Sequence, residues 1–239
     1  MLSVNINKMA KLDSQVNEAY KRLRTNVQLC GDDVKTIVIT SNIPNEGKSS
    51  VAFNFAASMA ESGKKVVFMD CDLRKSVLIG RYKIKNAIKG LTHYLSGLND
   101  FDEIVYETNL PNMHIVFSGP VPPNPAELLG SGKFKSLLGK LRNSYDYVIL
   151  DTPPVGSVID GIIVAQQCDG AIMVVSHAEV SVKMVQNTKA QLDKCDCKIL
   201  GAVLNKVPMA GNSYYGKYYG KYYGKYYGKY YGKYDSNDE

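Results

Sequence analysis

The amino-acid sequence predicts an α/β domain with a mostly parallel central sheet flanked by helices, followed by a flexible C-terminal tail. Short apolar runs alternate with stretches at helical spacing, a pattern that favours βαβ units and a parallel sheet. The runs are apolar throughout, as is typical of strands buried on both faces. After Pro208 the composition changes to a tyrosine-rich repeat without apolar periodicity, which predicts a flexible and exposed segment.

The individual elements follow from the same patterns. Apolar residues at helical spacing predict an amphipathic helix over residues 13–29, with a basic polar side. Strands are predicted at residues 36–41, 65–69, 113–117, 147–150, 171–175 and 199–204. Helices are predicted from the loop after the first strand to Ser62, from Asn124, and at residues 133–142, 158–167 and 182–193. Ligands of such a sheet bind beyond the carboxyl ends of its strands, so the chemistry is expected there.

Composition and charge exclude several classes of protein. The chain has 239 residues and a formal net charge of +6, whereas a nucleic-acid binder would usually be more basic on one face, so we expect no nucleic-acid partner. Five cysteines without a CxxC pair argue against a disulfide framework or a zinc site. The sequence has no signal-peptide pattern and no apolar run near the ~20 residues that span a bilayer. This predicts a cytoplasmic protein that reaches the membrane only through a partner.

Residues 42–49, Asn-Ile-Pro-Asn-Glu-Gly-Lys-Ser, have the layout of a phosphate-binding loop between a strand and a helix, which indicates a P-loop NTPase. Asn42 replaces the usual first glycine, and Asn tolerates left-handed backbone geometry better than most residues. Lys48 should reach the β- and γ-phosphates of ATP, and the Ser49 hydroxyl should bind Mg²⁺. The predicted ATP-binding residues of this segment are Asn42, Ile43, Pro44, Asn45, Glu46, Gly47, Lys48, Ser49 and Ser50.

Carboxylates follow two of the predicted strands. Asp70 and Asp72 end the second strand, and Asp151 ends the fourth in a Walker B pattern. A spacing of two residues in an extended chain would place Asp70 and Asp72 on the same face. Because Mg²⁺ takes few carboxylates together with waters and phosphate oxygens, one of this pair and Asp151 suffice for the ion. The other carboxylate is then free to accept a proton.

These features together resemble the bacterial tyrosine kinases, or BY-kinases, of the split type in which the kinase is a separate cytosolic chain. The resemblance rests on Asp70-Cys-Asp72-Leu-Arg74, on the Walker B segment 151–154, on an N-terminal signature at 18–24 and on a Pro-rich loop at 119–129, and it covers nearly the whole chain.

The resemblance implies roles for the site residues. Lys48, Asp70 and Asp72 would be catalytic, with Asp70 accepting the proton of an incoming tyrosine, although the resemblance does not fix which aspartate is the base. Ser49, Asp72 and Asp151 would organise Mg²⁺. Arg74 would be either a transition-state charge or a salt bridge, and Asn205 resembles the adenine-side Asn of related ATPases.

The resemblance also implies partners. The activator would be a membrane protein of capsule or exopolysaccharide export, acting through its cytosolic segment and recruiting the chain to the inner face of the membrane. The unphosphorylated chain would form a ring-like homo-oligomer. Lys21 stands where the family has Arg, and because Lys cannot pair bidentately with a carboxylate, the contact should be weaker unless Arg22 substitutes. The residues implied in oligomerisation are Glu18, Lys21, Arg22 and Arg24.

Residues 214–233 are five identical copies of Tyr-Tyr-Gly-Lys, followed by Tyr234. The 26 residues from Pro208 to Tyr234 can extend at most roughly 90 Å, enough to reach the site of a neighbouring subunit. Five Lys against three acidic residues give the tail a formal charge of +2, which two phosphates of about −1.5 to −2 each would invert. The predicted phosphoacceptors are Tyr214, Tyr215, Tyr218, Tyr219, Tyr222, Tyr223, Tyr226, Tyr227, Tyr230, Tyr231 and Tyr234.

We therefore expect an N-terminal helix at residues 1–33 with a possible oligomerisation role, a P-loop kinase domain at 34–208 and a tyrosine-rich tail at 209–239. The expected function is ATP-dependent phosphorylation of the tail between subunits, which regulates capsular or exopolysaccharide polymerisation and export. Two alternatives stay open. A partitioning or division-site ATPase switch would carry a signature Lys where this chain has Ile43. A non-catalytic ATP-binding scaffold would have its tail phosphorylated by another kinase.

Overall fold

The computed structural model describes residues 2–7, 12–84 and 88–208. Its sheet has the strand order β1-β4-β5-β3-β6-β2-β7-β8. Neighbouring strands are parallel except β4 and β5, which are antiparallel, so the predicted mostly parallel sheet is confirmed. The strands are β1 (Leu2–Val4), β2 (Thr36–Ser41), β3 (Val66–Asp70), β4 (Val105–Thr108), β5 (Met113–Val116), β6 (Tyr147–Asp151), β7 (Gly170–Ser176) and β8 (Ile199–Asn205).

Helices cover both faces of the sheet. They are α1 (Ser14–Gln28), α2 (Lys48–Glu61), α3 (Leu78–Arg81), α4 (Leu91–Leu95), α5 (Pro125–Leu129), α6 (Gly132–Ser144), α7 (Asp160–Ala165) and α8 (Val182–Asp193), with a 3-10 turn at Phe101–Glu103. Side-chain caps start three of them: Asp13, Ser131 and Ser181 each accept an N–H of the first turn. Among the described helices, none is long and apolar enough to cross a bilayer.

Alternate residues of the central strands enter two separate cores. In β2, Ile37 and Ile39 pack with α1 and α2, whereas Val38 packs on the other face with α6, α7 and α8. Every residue of β2 and β3 is buried, as the continuous apolar runs predicted. Two packed layers therefore hold the central strands in place and fix where they end.

The six predicted strands are present, with ends within one residue of the predicted ones. The prediction that all of them are buried on both faces is wrong for β8, because β8 lies at the edge of the sheet and Leu204 is 45% exposed. The strands β1 and β4 were not predicted, because they are short and carry polar residues such as Ser3 and Glu107. The helix predicted at 158–167 is shorter in the structure, where α7 covers Asp160–Ala165.

The N-terminal helix α1 is attached to the rest of the domain. Nη1 of Arg24 donates to the backbone oxygen of Ser58 on α2 at 2.7 Å, and Val27 is buried in the core beside it. One compact unit spans Met1–Asn205 and includes this helix. The division at residues 33 and 208 stays a prediction.

We predict that Arg24→Ala weakens the attachment of α1. The variant loses a partly buried, charge-assisted hydrogen bond, so its free energy of unfolding should fall by about 1–2 kcal/mol in urea denaturation. Lys21→Ala is the matched control on the same helix, because the ion pair between Lys21 and Glu18 is exposed and should contribute little. Equal losses in the two variants would contradict the assignment.

Candidate nucleotide and phosphoryl-transfer site

The candidate site lies where the central strands end at one edge of the sheet. Asp70 and Asp151, the last residues of β3 and β6, are direct neighbours across the two parallel strands. β2 lies on the other side of β6 and leads into the loop before α2. The sheet therefore brings two predicted carboxylates next to the predicted phosphate loop.

The loop uses left-handed backbone at Asn45, with φ 68°, and at Gly47, with φ 85°. Asn42 does not adopt this conformation, so the sequence argument for Asn42 was wrong: the left-handed positions fall further along the loop. A Cβ on Gly47 would lie 2.1 Å from Nδ2 of Asn205, so glycine is required there. Gly47 also precedes α2 without a side-chain cap, which leaves the first N–H groups of this helix open to an anion.

The side chain of Glu46 holds the loop from inside. Glu46 is 1% exposed, and its carboxylate accepts the backbone N–H of Asn42 at 2.5 Å, of Ile43 at 2.8 Å and of Ser176 at 3.0 Å. Its backbone oxygen accepts from Nδ2 of Asn205 at 2.8 Å. The sequence analysis placed Glu46 among the ATP-binding residues and missed this internal role. The available signal was a carboxylate directly before Gly-Lys-Ser in an otherwise neutral loop.

The side chain of Lys48 turns into the protein. Its Nζ lies 2.7 Å from Oδ1 of Asp151 and 3.2 Å from Oγ of Ser49. The Lys48 and Asp151 side chains are 8% and 1% exposed. Buried charges require a partner of opposite charge, which Lys48 and Asp151 provide for each other. Through Lys48, the predicted site residues Lys48, Ser49 and Asp151 form one cluster.

Asp70 is 1% exposed and has two donors within its own segment. Its Oδ1 accepts the N–H of Asp72 at 3.1 Å, and its Oδ2 accepts the hydroxyl of Ser76. Burial, together with the negative charge of Asp151, raises the pKa of Asp70 to about 7. A carboxylate with a pKa near neutrality is suited to proton transfer.

Asp72 lies beyond the end of β3, in a turn where its carboxylate accepts the N–H of Lys75 at 2.9 Å. Strand alternation therefore does not fix its direction, contrary to the sequence argument for a shared face with Asp70. The structure keeps the two carboxylates in one short segment but leaves Asp72 the more accessible of the two.

Arg74 forms a bidentate ion pair with Asp160, the first residue of α7. Nε donates to Oδ2 at 2.7 Å and Nη2 donates to Oδ1 at 2.9 Å. Asp160 is fully buried, whereas the Arg74 side chain is partly exposed. This arrangement corresponds to the salt-bridge alternative for Arg74, and it attaches the segment after β3 to the helix after β6.

The loop after β6 is in turn attached to the phosphate loop. Val155 and Gly156 donate their N–H groups to the backbone oxygens of Ser41 and Asn42 at 2.9 and 3.1 Å. A Cβ on Gly156 would lie 2.2 Å from the oxygen of Asn42, so the two loops touch closely. The Walker B pattern did not predict this contact, because it involves backbone atoms only.

Other predicted site residues lie elsewhere. Glu18 and Lys21 form an ion pair with each other on α1, and Arg24 contacts α2, so the structure places these oligomerisation candidates on the N-terminal helix, as it does Arg22. Their role in oligomerisation stays a prediction. The tail tyrosines fall outside the described residues.

The donors present fit Mg²⁺ and a polyphosphate. Ser49, Asp72 and Asp151 offer only oxygen ligands, which suit Mg²⁺. Within residues 2–7, 12–84 and 88–208, no three His, Cys, Asp or Glu side chains are grouped to hold a metal by themselves. Mg²⁺ does not need such a group, since waters and substrate phosphates usually complete its shell. The uncapped start of α2 and the ammonium of Lys48 complement the phosphates.

Comparison with known proteins agrees with this geometry. The AAA domain family matches residues 34–199. The chain is 40% identical over 208 residues to the tyrosine-protein kinase CpsD of Streptococcus agalactiae, covering 85% of this chain and 91% of that protein. It is 37% identical to the tyrosine-protein kinase YwqD of Bacillus subtilis, covering 89% and 90%. Among solved structures, the kinase domain of the Escherichia coli tyrosine kinase ETK superposes with a TM-score of 0.78 at 28% identity, covering 86% and 84%.

We predict that Glu46→Ala destabilises the domain through the phosphate loop. The variant leaves the buried N–H groups of Asn42 and Ser176 and the partly buried N–H of Ile43 without an acceptor, so the free energy of unfolding should fall by at least about 2 kcal/mol in urea. Glu46→Gln, which keeps one acceptor oxygen, should lose less. An alanine variant as stable as the parent would show that this carboxylate does not hold the loop.

Proposed function

The chain belongs to the bacterial tyrosine-protein kinases, and on this basis we propose that it uses ATP to phosphorylate the tyrosines of its own C-terminal tail, between subunits. The observation that supports this most is the cluster of Lys48, Asp70 and Asp151 beside a phosphate loop, in a chain with repeated tyrosines at residues 214–234. The rival functions lack such support, since the curated relatives at 40% identity are tyrosine kinases.

In this proposal the loop and the start of α2, from Asn42 to Ser50, bind the phosphates of ATP through backbone N–H groups, and Asn205 lies on the adenine side. Ser49, Asp72 and Asp151 would hold Mg²⁺, which would supply positive charge to neutralise the phosphates of ATP. Lys48 directly follows the loop, so its ammonium can leave Asp151 and bind phosphate oxygens of ATP instead. Lys48 then stabilises the negative charge of the transferring group.

Asp70 is the proposed base. The tyrosine oxygen forms a bond to the γ-phosphorus, and the bond from that phosphorus to the oxygen bridging it to the β-phosphate breaks, so that ADP leaves. The hydroxyl proton passes to the carboxylate of Asp70. Asp70 suits this role better than Asp72 because it is buried and because two hydrogen bonds fix its carboxylate. One oxygen accepts the N–H of Asp72 and the other accepts the hydroxyl of Ser76. Tyrosine, with an ordinary pKa near 10, needs such a positioned acceptor.

The tail is a suitable substrate by its chemistry. Its repeats carry a glycine at every fourth residue, which lets a Tyr pair enter a groove in extended form, and its lysines favour an acidic site. Each phosphate adds about −1.5 to −2 charge and opposes further binding beside Asp70 and Asp72. Phosphorylation therefore releases the tail and dissolves the oligomer, which renews the cycle.

The proposed setting is the cytoplasmic side of a membrane. A transmembrane activator of capsule or exopolysaccharide export would recruit the chain through its own cytosolic segment, and the phosphorylation cycle would regulate polymerisation and export. The similarity to the tyrosine-protein kinases CpsD and YwqD supports the kinase activity in this proposal.

Transfer between subunits can be tested with two full-length variants. Lys48→Met removes the phosphate-binding ammonium but keeps the tail, and a variant with every tail tyrosine changed to Phe keeps the site but has no acceptor. We predict that neither is phosphorylated on the tail alone with Mg·ATP, whereas the mixture gains phosphate on the Lys48→Met chain. Mass spectrometry of the separated chains measures this. A mixture without phosphate on that chain, while the parent is phosphorylated, would contradict transfer between subunits.

The release step predicts a change in mass. Multi-angle light scattering of the parent should give an oligomer before Mg·ATP and smaller species after extensive phosphorylation, because the tails become strongly acidic. The tail variant without tyrosines should keep the mass of the oligomer under the same conditions. An unchanged mass of the fully phosphorylated parent would rule this step out.

A further inference from the structure

Lys48, Arg74 and Arg81 are cations that lie close to the candidate site. Lys48 and Arg74 are each paired with a buried carboxylate, Asp151 and Asp160 respectively. Arg81 forms no ion pair within the described part of the chain. Its Nη1 donates instead to the neutral hydroxyl of Ser50 at 2.7 Å. The charge of Arg81 is therefore available to an anionic ligand.

The structure holds Arg81 against the start of α2. Arg81 ends the short helix α3, and the ring of the next residue, Tyr82, packs against Phe53 of α2 with the ring centroids 4.3 Å apart and the ring planes tilted by 32°. Phe53 and Ser50 lie one turn apart on the same face of α2. Tyr82 is buried while Arg81 is exposed, so the backbone beside Arg81 is anchored and its guanidinium, which interacts with the side chains of Ser50 and Tyr82, remains accessible to solvent.

This position is unfavourable for a cation without an anion nearby. The N-terminal end of a helix carries partial positive charge, and α2 has 14 residues and no side-chain cap at Gly47. A guanidinium beside that end becomes favourable when an anion lies between the two positive groups. Phosphate is the anion that a loop of this type accepts, and Arg binds phosphate oxygens with a fork of N–H donors.

We propose that Arg81 is a phosphate-binding residue of the nucleotide site, which exchanges the Ser50 hydroxyl for a phosphate oxygen of the bound nucleotide. The proposal rests on the proposed function, because it takes residues 42–50 as the nucleotide site. It has a structural consequence. The chain from Asp70 to Arg81 starts at the proposed base, so a nucleotide bound by Arg81 at the other end of this segment would limit how far the base moves relative to the phosphates.

The test is calorimetric binding of Mg·ADP and of adenosine to the full chain. Arg81→Gln should weaken ADP binding about tenfold or more, as expected when a charged hydrogen bond to phosphate is lost, and Arg81→Lys should give an intermediate loss. Lys83→Gln is the matched control: it removes a positive charge two residues away and should stay within about twofold of the parent. Adenosine, which has no phosphate, should bind all four proteins alike.

Thermal unfolding separates binding from folding. Because Arg81 is exposed, the variants without nucleotide should melt with the parent, and only the ADP-induced rise in melting temperature should shrink in Arg81→Gln. If Arg81→Gln does not fold, Arg81→Lys decides alone: a loss of several-fold in ADP affinity supports the proposal, and parental affinity overturns it.

Three outcomes would overturn the role of Arg81: parental ADP affinity in Arg81→Gln, an equal loss in Lys83→Gln, or an equal loss with adenosine. In each of them the parent still binds ADP, so the proposed function survives. A parent that binds neither Mg·ADP nor Mg·ATP would instead refute the proposed function itself.

Discussion

The burial of charge at the ends of β3 and β6 is the constraint on which the rest of the site depends. Two carboxylates, Asp70 and Asp151, lie side by side out of reach of water, with the single ammonium of Lys48 bound to one of them. Burial, and after it the negative charge of Asp151, raises the pKa of Asp70, because the one ammonium of Lys48 does not balance this excess of buried negative charge. A metal ion and a proton are the two positive charges that would relieve it, and both belong to phosphoryl transfer.

The loops around these charges hold one another in place. Glu46 ties the phosphate loop to β7, Gly156 ties it to the loop after β6, and Arg74 ties the segment after β3 to α7. The Glu46 contacts are buried, the Arg74 pair is bidentate and Gly156 adds a backbone hydrogen bond, so the reacting groups are positioned before a substrate arrives. Preorganisation of this kind lowers the reorganisation that the chemical step would otherwise require.

Features that follow from local sequence patterns were predictable, whereas contacts between distant loops were not. The central strands and the residues at their carboxyl ends were predictable, because apolar runs and motif spacing record them directly. The short strand β4 was not, because its alternation is brief and includes Glu107. The inward turn of Glu46 and the contact of Gly156 were not predictable either, since they depend on where the backbone of distant loops lies. Asp72 was assigned to the face of Asp70 by strand geometry, but the strand ends before it.

The central claim is that the site of this chain phosphorylates its tail. The most direct measurement is mass spectrometry of the purified chain after incubation with Mg·ATP, with and without the cytosolic segment of the proposed activator. The parent should gain phosphate on the tyrosines of residues 214–234. Lys48→Met, checked for an intact fold by circular dichroism, should gain none. A Lys48→Met chain phosphorylated as fully as the parent, or a parent without tail phosphate in both conditions, would contradict the account.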